Sequence, residues 1–162
     1  MNTKAFQIRP VGTDDRPWVT SLLEENWGSA KIVTHGRIHK ADELPGFIAV
    51  KDDKPVGLIT HSIKNGECEI TSMNSLVEGI GIGSALVESV RDAAIEAGCR
   101  RVWAITTNDN TAALRFWQKR GFSLVAVYPN AIEESRKLKP EIGRIGDNGI
   151  PIRDEIELEL SL

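Results

Sequence analysis

Gly79, Gly81 and Gly83 occupy every second position of Glu78-Gly79-Ile80-Gly81-Ile82-Gly83-Ser84, a run that lies between a predicted strand and the first turn of a predicted helix. Without a Cβ, glycine lets an anion reach the main chain, and the unpaired amides and positive dipole end of a helix supply donors for it. A diphosphate or similar anion suits such a loop. A Walker A site needs Lys and then Ser or Thr after its last Gly, where this chain has Ser84-Ala85. A dinucleotide fingerprint needs G-x-G-x-x-G inside a βαβ unit and an acidic residue about 20 positions on. Here the spacing is G-x-G-x-G, the loop follows a meander, and the chain leads to Arg100-Arg101.

Other residues could handle protons. Glu67 and Glu69 share one face of a predicted strand by the period of two, as candidate bases or as solvated carboxylates. Tyr128, the only tyrosine, stands at the end of a later strand, as a candidate acid or a packing residue. His35 and His39 are four apart with no third ligand at a recognisable spacing, so a metal site is not expected and the pair is read as lining a pocket. His61 reads as an ordinary strand side chain. Glu155, Glu157 and Glu159 alternate with Ile156, Leu158 and Leu160 and read as a solvated strand face, attractive to a cationic amine if turned to a cleft.

The elements that must position these groups follow from periodicity. A strand is expected over Phe6–Val11, and Thr13-Asp14-Asp15 offers cap chemistry for a helix through Trp18, Leu22 and Leu23. Gly28–Leu44 is irregular. Gly46–Val50, Val56–Thr60 and Glu67–Val77, joined by polar turns at Asp52-Asp53-Lys54 and Asn65-Gly66, form an antiparallel meander. Ile82, Leu86, Val90, Ala93 and Ala97 make a helical stripe that Gly98 stops. Val102–Ile105 reads as a strand covered on both faces, and Asn108-Asp109-Asn110 caps a helix reaching Gly121. Strands over Phe122–Tyr128 and at Ile156–Leu160, with a short helix over Asn130–Leu138, complete an α/β chain, and Lys139–Ile152 is a loop fit to shape a pocket.

Two segments resemble the GNAT acetyltransferase superfamily. Its coenzyme A motif, [Arg/Gln]-x-x-Gly-x-[Gly/Ala] at a strand-to-helix junction, is similar to Glu78–Gly83 with Glu78 in place of the basic or amide residue. Its second signature, Asn-x-x-Ala-x-x-[Phe/Leu]-Tyr-x-x-x-Gly-Phe, is matched by Asn110, Ala113, Phe116, Gly121 and Phe122, with Trp117 where the family has Tyr. As element order the resemblance runs from about Phe6 to Tyr128. It implies a mixed, mostly antiparallel central sheet, splayed in the middle, with helices on both faces, in one domain spanning residues 1–162.

It further implies N-acetylation of a primary amine by direct transfer from acetyl-coenzyme A. The main chain of Val77, Gly79, Ile80, Gly81, Ile82, Gly83 and Ser84 would hold pantetheine and diphosphate, and a strand amide at Met73 or Asn74 would meet the thioester oxygen. Asn110 is then either a ligand of the amide arm or a plain helix cap, and Phe116 either packs beside the thioester or belongs to the core. Trp117 adjoins the same site and lacks the Tyr hydroxyl placed to protonate the thiolate. Glu69 lies where many members carry a catalytic Glu and is the preferred base; Tyr128 is the one phenol available as acid. A small-molecule amine is the expected partner, with a protein amine or a catalytically weak acyl-coenzyme A-binding module as alternatives, and a homodimer is left open.

Composition bounds the rest. A chain of 162 residues with 41% hydrophobic residues suffices for one core without metals or disulfides. The 20 basic and 23 acidic residues are interspersed at net −3, so neither nucleic acid nor an anionic membrane is an expected partner. Cys68 and Cys99, 31 positions apart, read as reduced thiols. Met1–Phe6 carries no apolar leader, which points to the cytoplasm.

Overall fold

The computed structural model describes residues 5–162, so the reading of Met1–Lys4 lies outside the described residues. Among the described residues nine strands and four α-helices follow one another as β1 (Gln7–Pro10), α1 (Arg16–Trp27), β2 (Lys31–Thr34), β3 (Arg37–Lys40), β4 (Gly46–Lys51), β5 (Lys54–Lys64), β6 (Glu67–Ser75), α2 (Ile82–Glu96), β7 (Arg101–Thr107), α3 (Thr111–Lys119), β8 (Ser123–Tyr128), α4 (Ala131–Leu138) and β9 (Glu155–Ser161). Seven strands form one sheet in the order β1-β4-β5-β6-β7-β9-β8, antiparallel except for β6 with β7. The expected meander is β4-β5-β6. β9 enters between β7 and β8, and the stretch expected to be irregular contains the separate hairpin β2–β3.

Each face of the sheet buries its own core. Ile82, Leu86 and Val90 of α2 pack with Ile59, Ile70, Val102 and Leu158 on one side. Val19, Leu22 and Leu23 of α1 cover Ile48 and Leu58 on the other. Thr13–Asp15 does not act as a side-chain cap: the Asp15 carboxylate takes hydrogen bonds from Arg9 at 2.6 and 2.8 Å and from the Gly12 amide at 2.7 Å.

The sheet divides in the middle. β6 pairs with β7 only from Glu67↔Arg101 to Ile70↔Ala104, after which β6 stays with β5 as far as Ser75 and β7 stays with β9 as far as Thr107. The register of β5 and β6 shifts between Thr60 and His61, where Thr71 is an extra residue on β6. Such a bulge bends its strand and raises the local twist. The polar side chains it gathers satisfy one another, Thr60 Oγ1 meeting both Ser72 Oγ and Thr71 Oγ1, the latter at 2.7 Å.

Candidate active site

The glycine run sits at the mouth of this gap. Gly79 (φ 81°) and Gly81 (φ 87°) hold left-handed conformations, and a Cβ added to either would have no atom within 4 Å. Space above them is therefore open, and β-carbons are kept out by backbone conformation. Gly81 is the N-cap of α2, and the Ala85 amide closes the first turn on its carbonyl at 3.1 Å. By helix geometry the amides of Ile82, Gly83 and Ser84 have no carbonyl partner within α2, which leaves a cradle for an anion at the positive end of the dipole.

The other residues of the run divide by role. Ile82 is buried in the core, so only its main chain faces the loop. Ile80 is exposed, as is Glu78. Gly83 is set by packing: its Cβ would lie 2.8 Å from the Phe116 ring, so α2 and α3 approach each other through this glycine. The Val77 carbonyl accepts from Ser75 Oγ at 2.9 Å, which ties the loop to the end of β6.

Beyond the loop, a cleft of about 310 Å³ runs between the diverging strands, lined by Ser72, Met73, Asn110, Ala113, Phe116 and Trp117 among others. The Leu76 amide donates to Val56 of β5 at 2.8 Å. Main-chain groups alternate direction along a strand, so the Asn74 amide also turns to β5 and the Met73 amide turns into the gap. Of the two amides expected to meet a thioester oxygen, Met73 has the direction for it. Asn110 caps α3, its Oδ1 accepting from the Ala113 amide at 3.1 Å, and it also lines the cleft. Trp117 is buried between Phe116 and Phe122, with ring centroids 5.0 Å from each.

A second cavity of about 490 Å³ continues from the cleft, sharing Trp27, Thr71, Ile105, Thr106 and Asn110 with it. α4, residues 139–152 and the start of β9 line it, so the predicted pocket-shaping loop does line a pocket. Glu155 lines this cavity and is 2% exposed, with Oε2 accepting the His35 amide at 2.9 Å. The expectation that Glu155, Glu157 and Glu159 form a solvated face is corrected here. Glu157 is buried as well, and Arg101 reaches Glu157 and Glu159 at 2.7 and 2.9 Å. Burial opposes the Arg101 charge, yet its bonds to Glu157, Glu67 and Glu159 outweigh that and raise its pKa.

Glu69 does not line either cavity. It is buried under β2–β3, where Thr34 Oγ1 donates to its Oε2 at 2.7 Å and Arg37 approaches at 3.4 Å. Burial raises the Glu69 pKa against the opposing Thr34 bond. Thr34, a residue sequence reasoning passes over, touches both sides: it lines the larger cavity, and its hydroxyl also lies 2.9 Å from His39 Nε2. Burial, helped by Arg37, lowers the His39 pKa. Tyr128 also stands outside both linings. Its hydroxyl donates to Glu157 at 2.9 Å, a bond that, with burial, raises its pKa, and its ring packs edge-on against His35. Its proton is thus held away from the gap.

The cysteines are free and buried, and burial pushes the Cys68 thiol up to about 12. Among the described residues no group of three His, Cys, Asp or Glu side chains is placed to hold a metal, and no helix is long and apolar enough to cross a membrane. A larger depression of about 730 Å³ between β1 and α2 shares no lining residue with the gap.

Comparison with known proteins gives the chain's family and its structural relatives. Residues 11–122 match the model of the acetyltransferase (GNAT) family. The uncharacterised protein YdhI of Bacillus subtilis (strain 168) is 45% identical over 139 residues, 85% of this chain and 87% of that protein. An IAA acetyltransferase from Bacillus cereus ATCC 14579 has a similar fold, with a TM-score of 0.76 at 20% identity over 97% of this chain and 99% of that one. So does a GNAT family acetyltransferase from Elizabethkingia anophelis solved with acetyl-CoA bound, with a TM-score of 0.71 at 18% identity over 99% of this chain and 100% of that one.

Proposed function

Because the chain belongs to the acetyltransferase (GNAT) family, and is thereby an acetyl-coenzyme A-dependent acetyltransferase, we propose that it acts as one domain and passes the acetyl group directly to a primary amine of a small molecule. The observation that carries this reading is the continuity of the two cavities. The cleft beside Met73 and Phe116 continues, through Thr71, Ile105, Thr106 and Asn110, into a partly open cavity of about 490 Å³. That volume lies in the range of small-ligand sites. A pocket of that size, with residues 139–152 forming one wall, favours a small acceptor over a protein one.

The residues present fit the coenzyme. The amides of Ile82–Ser84 and the open space over Gly79 and Gly81 suit a diphosphate, and the divergence of β6 from β7 suits an extended arm. Bound there, acetyl-coenzyme A would supply a thioester carbonyl open to attack by a neutral amine. The Met73 amide is the donor available to a carbonyl oxygen in the gap. As the C–N bond forms and the C–S bond breaks, Thr34 Oγ1 receives an amine proton while giving its own to Glu69 Oε2, 2.7 Å away. Burial raises the Glu69 pKa, which makes it a stronger base for this role. Trp117 has no acidic hydroxyl, and solvent protonates the departing thiolate.

A second reading, an acyl-coenzyme A-binding module with little turnover, draws on Trp117 and Glu78, the two departures from the family pattern. Thiol release from acetyl-coenzyme A, measured against panels of amines and peptides, separates the two. Amine-dependent release, lowered at least tenfold in Glu69→Gln and in Thr34→Val with coenzyme binding intact, is expected. Release that no amine accelerates would contradict enzymatic transfer.

A further inference from the structure

The lining of the larger cavity includes two residues with buried polar atoms that have no partner among the described residues. Asp109 is 6% exposed and lines the cavity. Its Oδ2 accepts the Asp147 amide at 3.2 Å, while its Oδ1 is buried and unpartnered. Ser135 on α4 is 1% exposed, lines the same cavity, and its Oγ is likewise unpartnered. Native proteins rarely leave buried polar atoms unsatisfied, so both point to a ligand group.

The chemistry of that group follows from the acceptors. A carboxylate oxygen accepts only, so the ligand must donate, and a serine hydroxyl can accept as well. The surrounding charge selects a cation: Glu141, Asp147 and Glu155 line the cavity together with Asp109. The one ammonium among the lining residues, Lys139, is committed to the carbonyls of Trp27 and Lys31 at 2.7 and 3.0 Å. Ile32, Ile105, Ile132 and Ile152 also line the cavity and suit a short methylene chain.

The cavity wall is preformed. Arg136 holds the loop through the carbonyls of Gly143 and Ile152, both at 2.8 Å, and the Gly146 amide bonds the Ile150 carbonyl at 2.8 Å. Gly146 also packs against the Asp109 carboxylate so closely that no Cβ would fit. Asp109 is therefore positioned by the lid it supports, with Oδ1 left over.

We propose that Asp109 and Ser135 bind a second, cationic donor group of the acceptor, so that the substrate is a small diamine-type molecule with one amine in the gap and the other on Asp109. This deepens the acetyltransferase reading and rests on it for the fate of the first amine. The test compares 1,4-diaminobutane with n-butylamine, which has the same carbon count, by steady-state thiol release and by calorimetric binding. The expected kcat/KM is at least tenfold higher for the diamine, mostly through KM. In Asp109→Asn the ratio falls to within about twofold of parity. Ser135→Ala, which keeps the lid bonds of Asp109 intact, lowers the ratio severalfold and keeps the test valid should the first variant fold poorly.

Equal kcat/KM for the two amines, or a preference unchanged in both variants, with thermal stabilisation by acetyl-coenzyme A intact, overturns the proposal. The reading beneath it fails differently. Absence of stabilisation by acetyl-coenzyme A would remove the acetyltransferase step, whereas diamine-selective calorimetric binding that Asp109→Asn abolishes would still support the cavity assignment.

Discussion

Substitution of Gly81 by Ala and by Glu separates the backbone requirement of the loop from its need for an open anion cradle. Gly81 stands at φ 87° with nothing within 4 Å of the point a β-carbon would occupy, so Ala meets no clash and suffers only the left-handed conformation. That costs roughly 1–2 kcal/mol. For a chain of this size each kcal/mol moves Tm by about 2–4 °C, so Gly81→Ala should melt roughly 2–8 °C lower and remain folded. Acetyl-coenzyme A at one hundred times its Kd stabilises by about 2.7 kcal/mol, a rise of roughly 5–11 °C by the same conversion. A Glu at position 81 adds a carboxylate beside the amides of Ile82–Ser84, where the diphosphate is expected. Thermal denaturation with and without millimolar acetyl-coenzyme A should show the parent and Gly81→Ala stabilised and Gly81→Glu stabilised by less than about 2 °C. A full shift in Gly81→Glu would refute the cradle.

Glu78→Gln should tighten coenzyme A binding up to a few-fold by calorimetry, and more at low salt, since an exposed carboxylate near a diphosphate costs on the order of 1 kcal/mol or less; weaker binding would mean a structural partner for Glu78. Tyr128→Phe should lower turnover less than tenfold, because the phenol proton is bonded to Glu157; a loss of three orders of magnitude with binding intact would make Tyr128 the acid. Asp15→Asn should destabilise the fold at neutral pH, since hydrogen bonds from Arg9 chiefly hold the Asp15 pKa down to about 2 from 3.8. Arg9 is 49% exposed, so solvent screening limits the effect to about 1 kcal/mol. Its folded pKa being the lower one, this stability is present above 3.8 and is lost as pH falls through about 2, so denaturation curves of parent and variant should converge there. A difference that persists at pH 2 would contradict the ion pair as its source.

What the sequence makes legible depends on the range of the interactions involved. The loop, α2 and α3 can be read because glycine conformation, helical stripes and caps act within a few residues, as at Gly81 and Asn110. The β2–β3 hairpin turns on His35 and Gly36, both at positive φ, a two-residue signal that the polar surroundings obscure. Burial of Glu155 and Glu157 does not follow from alternation in β9 alone. It depends on β9 entering between β7 and β8, which brings Arg101, more than fifty residues earlier, against those carboxylates. The strand position of Glu69 marks it as a candidate, but its connection to the cavity runs through Thr34, whose relevance arises only when β2 folds across the sheet. Asp109 and Ser135 are similarly silent until residues 139–152 join them in one cavity lining.

The most direct measurement is a crystal structure of the protein with coenzyme A. The diphosphate is predicted to accept hydrogen bonds from the amides of Ile82, Gly83 and Ser84, with the arm passing between β6 and β7 and the sulfur beside Met73 and Asn110, open to the cavity that Thr34 and Asp109 line. A coenzyme bound elsewhere, such as in the depression between β1 and α2, or a sulfur directed away from that cavity, would contradict it.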